Sequence, residues 1–259
     1  MKVISLHNKD RIESLLRRNA YLHLYAIGDL DDFFWGHTTW YGLRDGEQLV
    51  LLYAGTSPPV VLALADEQWE YMRELLRLIT PLLPRRFYAH LSEDLADALS
   101  AEYQMISHGT HYKMGLRKTE LLNEVDISEV EQLREPDMDD LKALYHASYP
   151  SNSFDPRMLE TGHYYGMRRG SSLVSVARVH VYSPTYKVAA LGNVTTHPMW
   201  RRKGLGTKVT AKLCRSLLGT VDHIGLNVKA DNIGALSCYE GLGFERIASY
   251  EECSCEAKC

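Results

Sequence analysis

The chain has 259 residues, 45% hydrophobic and 24% charged, a composition that excludes fibrous and disordered classes. Its formal net charge of −4 gives no global attraction to nucleic acid or to an anionic membrane surface, so any basic patch must be local. No apolar run approaches the roughly 18 residues that span a bilayer. The first residues, MKVISLHNKDRIESL, carry charge where a signal peptide is apolar. The expectation is a soluble cytoplasmic protein with no membrane or nucleic-acid partner.

The first half reads as an α/β unit. Helices are expected at 9–18 and 21–27, then strands at 36–44 and 47–54 joined at Asp45-Gly46, a pair suited to a tight hairpin. Residues 58–65 form a continuous apolar run, which suits a strand covered on both faces. A helix follows with Trp69, Met72, Leu76 and Ile79 along one face. A strand at 87–91, a short helix at 93–99 and a strand at 111–116 complete the unit. The polar stretch 118–128 lacks periodicity and marks the boundary between expected domains at 1–122 and 129–259.

The second half repeats the order. A strand at 130–134 precedes a helix opened by Pro136-Asp137 and carrying Met138, Leu141, Leu144 and Tyr145. A loop rich in Ser, Asn and Pro covers 149–156, and a short helical piece lies near 157–160. Strands are expected at 163–168, 172–182 and 186–196, a helix from Leu205, a strand at 223–228, a helix at 233–240 and a last strand at 244–251. All five cysteines fall here, at Cys214, Cys238, Cys253, Cys255 and Cys259. The first two sit in expected helices, where a reduced thiol behaves as a small apolar residue. The tail CSCEAKC reads either as a frayed, reduced terminus or as a metal or redox site. Three thiols are one ligand short of a closed zinc site, so no metal is expected.

The chemically informative segment is 190–218. A strand runs into His197-Pro198 and the chain turns through Met199-Trp200. Arg201-Arg202-Lys203-Gly204-Leu205-Gly206 then leads into a helix whose Leu205, Val209, Leu213 and Leu217 recur every four residues. A helix start offers unpaired N–H groups and the positive end of the helix dipole. Glycines at 204 and 206 let an anion approach the backbone, and basic residues on both sides, Lys208, Lys212 and Arg215 among them, attract it. Together these features suit a pyrophosphate. The corresponding junction of the first half, Ala65-Asp66-Glu67-Gln68, has no glycine and two acids, which would repel one. The loop is neither the dinucleotide-binding Gly-x-Gly-x-x-Gly nor a Walker loop. It lacks the aromatic interleaving on a broad basic face that nucleic-acid binding uses.

The order His197-Pro-x-x-Arg201-x-x-Gly204-x-Gly206 after an apolar strand resembles motif A of the GNAT superfamily of N-acyltransferases. Downstream, residues 226–244, with Asn232, Ala235, Tyr239 and the Gly243-Phe244 pair, are similar to its motif B. The resemblance covers 129–250, and the Val-Thr-Thr-His-Pro run is closest to the glycine-N-acyltransferase-like branch. It implies an α/β fold with a mixed sheet in two tandem GNAT-like domains, the first similar to a degenerate copy without its cofactor loop. It also implies acetyl-CoA as co-substrate, its pyrophosphate cradled by Arg201, Arg202, Lys203, Gly204, Leu205, Gly206 and Thr207.

By the same resemblance, the fourth strand splays from the fifth and the backbone of Val194, Thr195 and Thr196 lines a slot for the pantetheine arm. Otherwise these are plain sheet residues. Tyr239 matches the general acid that protonates the departing thiolate, a role a phenol suits; sharing a helix face with Ala235, it also suits core packing. Asn232 matches a CoA contact and equally an N-cap. No Asp or Glu lies in 189–196. Asn193 can orient a water or the thioester oxygen but not take a proton, and His163 and His180 read as structural, so no base is assigned. Cys238 should point away from Tyr239, and covalent cysteine chemistry is not expected. The implied activity is transfer of an acetyl group to a primary amine of a small molecule or amino acid. The alternative is a catalytically silent acyl-CoA-binding sensor or interaction module.

Overall fold

Helical and strand periodicity place most elements where the sequence puts them. In the computed structural model, residues 2–258 are described apart from 45, 46, 67, 151, 153 and 155. In chain order come β1 (Val3–Leu6), α1 (Lys9–Leu16), α2 (Leu24–Gly28), α3 (Asp32–Trp35), β2 (Thr38–Leu43), β3 (Leu49–Tyr53), β4 (Val60–Ala63), α4 (Trp69–Ile79), β5 (Arg86–Ser92) and β6 (Tyr103–Leu116). They continue as β7 (Glu131–Gln132), α5 (Met138–Ser148), β8 (Tyr164–Arg169), β9 (Ser172–Ser183), β10 (Val188–Thr196), α6 (Leu205–Leu217), β11 (His223–Lys229), α7 (Ile233–Gly241) and β12 (Phe244–Ala257). The sequence missed β1 and α3. It expected a helix at 93–99, where only a single 3-10 turn, Ala96–Ala98, forms. The hairpin pair Asp45-Gly46 lies outside the described residues, although β2 and β3 do pair antiparallel on either side of it.

Packing divides the chain into two units that interleave in sequence. One is 1–113 with 228–231 and 246–259; the other is 114–227 with 232–245. The expected division into 1–122 and 129–259 therefore does not describe the packing, because the last strand leaves its own half of the sequence. In the first unit the strand order is β1-β2-β3-β4-β5-β12-β6. Antiparallel pairing sets Cys253 opposite Ala89 and Cys255 opposite Phe87. Both thiols are buried, in a core with Met72, Leu75, Leu76 and Ile79 of α4. The frayed tail is thus corrected. Cys253, Cys255 and Ala257 alternate as the inward residues of a strand, and burial pushes the two thiols up to about 11 and about 12. Cys259 lies outside the described residues. Trp69, placed by the sequence on the apolar face of α4, is 38% exposed, and Leu75 takes the inward position instead.

On the other face of those central strands the same unit buries charge. Tyr88 and Tyr250 donate their hydroxyls to the Glu252 carboxylate, at 2.5 and 2.7 Å. His90 and His111 lie 3.6 and 3.5 Å from it. Lys113 is buried with its Nζ 4.8 Å from the ring centres of Tyr25 and Tyr250.

In the second unit the order is β11-β10-β9-β8-β7, with β10 and β11 parallel and the remaining pairs antiparallel. This is a mixed sheet. Leu205, Val209, Leu213 and Leu217 of α6 are all buried, as their four-residue spacing requires. The Gly243-Phe244 pair has a packing reason of its own. Gly243 has φ +93°, its carbonyl accepts from Arg117 N and Lys118 N, and a Cβ there would lie 2.2 Å from Lys118 O.

Candidate active site

Parallel pairing between β10 and β11 covers Val188–Leu191 against His223–Leu226. Yet β10 runs on to Thr196, so its last residues leave β11. The cause is a bulge. The register with β9 shifts between Gly192 and Thr195, and Asn193 takes φ +49°, a left-handed conformation that asparagine tolerates better than most residues. Val194, at the bulge, and Thr195 and Thr196, past it, lie on the part of β10 beyond its pairing with β11.

Side chains from α5 brace this stretch. The Tyr145 hydroxyl, which burial pushes up to about 12, donates to Asn193 O at 3.3 Å, and behind it Arg178 is fully buried on β9. The Thr195 hydroxyl donates to Ser148 Oγ at 3.1 Å, while Ser175 Oγ lies 2.8 Å from Thr196 Oγ1. Sequence reasoning missed Tyr145, Ser148, Ser175 and Arg178 as parts of the site. A tyrosine at helical spacing signals core, and no local pattern reveals what its hydroxyl reaches.

At the end of β10 a 3-10 turn, Pro198–Trp200, leads into the glycine loop. Arg201 folds back, donating from Nε to Thr196 O at 3.1 Å and from Nη2 to Ser148 O at 3.3 Å. Its guanidinium therefore ties the loop to β10 and α5. Lys203 lies over the Trp200 ring at 4.3 Å. Arg202, Lys203 and Gly204 are exposed. Gly204 is the residue before α6 and has φ +74°, which glycine adopts at no steric cost. A Cβ at Gly204 would meet nothing within 4 Å, and at Gly206 only Thr196 Oγ1 at 3.5 Å, so the space before the helix start is open. The first-turn N–H groups of α6 face that space with no carbonyl four residues back to take them. A pyrophosphate fits this cradle on both counts, sterics and donors.

Not every basic residue is available to it. Lys208 pairs with Asp126 at 3.2 Å and Glu129 at 3.8 Å, and Arg215 donates to the carbonyls of Leu122 and Val125. Lys212 lies near the Tyr165 ring. The expectation that these three attract the anion is corrected: they hold the segment before β7 and the sheet. Arg202, Lys203 and the helix dipole remain as the positive features beside the cradle.

Helix α7 meets α6 where Cys238 approaches Thr207. Asn232 caps α7, its Oδ1 accepting from Ala235 N at 3.2 Å. Tyr239 is 8% exposed, its ring 5.8 Å from that of Phe244. Its neighbour Cys238 turns to the first turn of α6, with Sγ 3.3 Å from Thr207 Oγ1. Burial raises the Cys238 thiol above its ordinary pKa, against a smaller lowering by this contact, and so favours the protonated form over the nucleophilic thiolate. His163 sits on Ser216 at 3.1 Å and against Tyr182, with its pKa lowered by burial, a structural placement. His180 packs at Gly192, where a Cβ would lie 2.7 Å from its own. Among the described residues no group of His, Cys, Asp and Glu could hold a metal ion, and no helix is long and apolar enough to cross a membrane.

Beside α5 a pocket of about 210 Å³ is lined by Lys142, Tyr145, His146, Pro150, Asn152 and Phe154. Tyr145 is shared: its ring walls the pocket and its hydroxyl reaches the bulge of β10.

Residues 127–244 match the acetyltransferase (GNAT) family. An N-alpha-acetyltransferase, RimI of Mycobacterium tuberculosis, is 32% identical over 89 residues, 33% of this chain and 53% of that protein. The chain thus spans about half the length of this curated relative. Among solved structures, a Drosophila protein is similar with a TM-score of 0.71 at 14% identity, covering 97% of both chains. A tandem GNAT protein from the clavulanic acid biosynthesis pathway covers 100% of this chain and 99% of its own, with a TM-score of 0.58 at 15% identity. At these identities the structures speak for the fold alone, and they extend it over both units.

Proposed function

We propose, on the premise that residues 127–244 form an acetyltransferase domain of the GNAT family, that this chain is an N-acetyltransferase using acetyl-CoA as co-substrate. The observation that carries the reading is the loss of β10–β11 pairing after Leu191, with the left-handed Gly204 loop following the same strand. Val194, Thr195 and Thr196, beyond the β11 pairing, line the slot for the pantetheine arm, and backbone groups there other than the Thr196 carbonyl, which Arg201 holds, pair with its amides. The pyrophosphate lies before α6 on the N–H groups of residues 204–207, with Arg202 and Lys203 beside it and Asn232 offering its amide from the α7 cap. Arg201 fixes the loop rather than the ligand.

Transfer is direct. The nitrogen of a neutral primary amine attacks the thioester carbonyl carbon, the C–S bond breaks with its electron pair going to sulfur, Tyr239 gives the thiolate a proton, and the proton lost by the amine passes to solvent, from which Tyr239 regains one. A phenol is a competent proton donor to a developing thiolate. The α-amine named in the RimI relative supports a primary amine as acceptor, and the size of the pocket beside α5 supports a small one, an amine or amino acid. The setting proposed is the cytoplasm, where the buried thiols Cys214, Cys253 and Cys255 remain reduced.

Release of CoA thiol from acetyl-CoA, followed across a panel of primary amines, tests the activity. An amine-dependent signal is expected, and Tyr239→Phe should cut it about 10- to 100-fold with acetyl-CoA affinity unchanged. Binding without thiol release for every amine would make the chain an acyl-CoA sensor instead.

A further inference from the structure

Burying a guanidinium is costly, and Arg178 on β9 is buried completely. An apolar side chain of similar volume would fill the same space without that cost, so the charge there calls for a reason of its own. Its surroundings supply one. Arg178 lies opposite Gly192 in the β9–β10 register, the last pair before the shift that makes the bulge, and opposite Tyr164 in the β8–β9 register. Its Nη1 donates to Val179 O at 2.9 Å, and its Cζ lies 5.7 Å from the Tyr164 ring centre. The guanidinium also hydrogen-bonds the Tyr145 hydroxyl.

That last bond has a direction. A guanidinium has donors and no acceptor, so the Tyr145 oxygen must accept from it. The single proton of the phenol is then left for Asn193 O, 3.3 Å away. Without Arg178 the hydroxyl is free to rotate. Asn193 has φ +49°, a conformation that costs an L-residue energy and persists where contacts outside the residue hold it. Two residues earlier, at Leu191, the pairing of β10 with β11 ends.

We propose that Arg178 is a positioning residue for the cofactor: it orients the Tyr145 hydroxyl, which holds the Asn193 bulge and so keeps the pantetheine slot at the end of β10 open. This rests on the acetyl-CoA reading above. Arg178 acts through Tyr145 and touches no reacting atom. The brace is partial, because Thr195 is tied separately to Ser148, so its loss narrows the slot without closing it. The pyrophosphate cradle before α6 depends on other contacts, those of Arg201 with Thr196 O and Ser148 O, and stays in place.

The test is calorimetry on the full chain with acetyl-CoA and with ADP, a ligand that has the pyrophosphate and lacks the pantetheine arm. Tyr145→Phe and Arg178→Met should each weaken acetyl-CoA about tenfold and leave ADP within about twofold. The double variant should lose no more than either alone, since both changes break one chain of contacts. Arg178→Lys, which keeps a charged donor, should recover part of the affinity. Amide exchange in the ligand-free chain reads the brace without any cofactor: residues 192–196 should exchange about tenfold faster in both single variants, with α6 unchanged. Acetyl-CoA and ADP weakened alike would mark a general loss of packing and overturn the proposal. So would acetyl-CoA affinity and amide exchange both within about twofold of wild type. Wild type that binds no acetyl-CoA would instead sink the cofactor reading, and amide exchange would still decide whether Arg178 holds the bulge.

Discussion

Two strand–helix junctions of the same topology differ in what they can hold. In the first unit β4 pairs parallel with β5 and leads to α4; in the second β10 pairs parallel with β11 and leads to α6. The first junction is shut. Pairing lasts to Ala63, and just beyond it the Ser92 hydroxyl bonds Ala65 at both ends, accepting from its N–H at 2.9 Å and donating to its C=O at 3.3 Å. The residue before α4 is Gln68 with φ +59°, and Asp66 is held by Asn19. The second junction is open, with a bulge in place of the serine clamp, glycine before the helix, and arginine and lysine where the first has acid. On the proposed reading, cofactor capacity resides in a few residues at the strand end rather than in the βαβ frame, which the two units share.

The largest effect should come from Gly204→Glu, which fills the open cradle and adds a repelling charge; acetyl-CoA affinity measured by calorimetry should fall more than 100-fold. Gln68→Gly, the reciprocal change in the first unit, should create no second site, because Ser92 still clamps the strand end. Next comes packing in the first unit. Cys255→Asp places an uncompensated charge against Phe87 in its core and should cost about 3–5 kcal/mol in urea unfolding.

A pH effect of up to about 3 kcal/mol should belong to the first unit too. Burial, with a smaller push from Lys113, lowers His23 to about 4, so between pH 6.5 and 4 the unfolded chain binds a proton that the folded chain refuses. Stability from this group is present above that window and lost as pH falls through it. Asp29, raised to about 7 by burial, acts with the opposite sign. The difference between wild type and His23→Gln isolates the histidine: wild type should lose more stability on acidification. The smallest change is Ser92→Ala, about 1 kcal/mol of stability with acetyl-transfer rate unaltered.

Much of this contrast could be read from the chain. The glycines, the basic run and the fourfold spacing of α6 are local, and so is the acid-rich junction that replaces them in the first half. What escaped is what depends on distant partners. The Asn193 bulge leaves no mark on strand periodicity, and the Ser92 clamp joins residues 27 apart. Lys208 looked available until Asp126 and Glu129 came into reach, and Ser148 looked like a helix end rather than the knot tying β10 to Arg201. The tail carried its signal openly, since Cys253, Cys255 and Ala257 alternate, but the usual disorder of termini hid a strand that completes the other unit's sheet.

The most direct test of the central claim is a calorimetric titration of the full chain with acetyl-CoA, wild type beside Gly204→Glu. The account predicts one site per chain in wild type and none in the variant. Two sites, or one that survives the substitution, would contradict it, for the cofactor would then be held somewhere other than the open junction of the second unit.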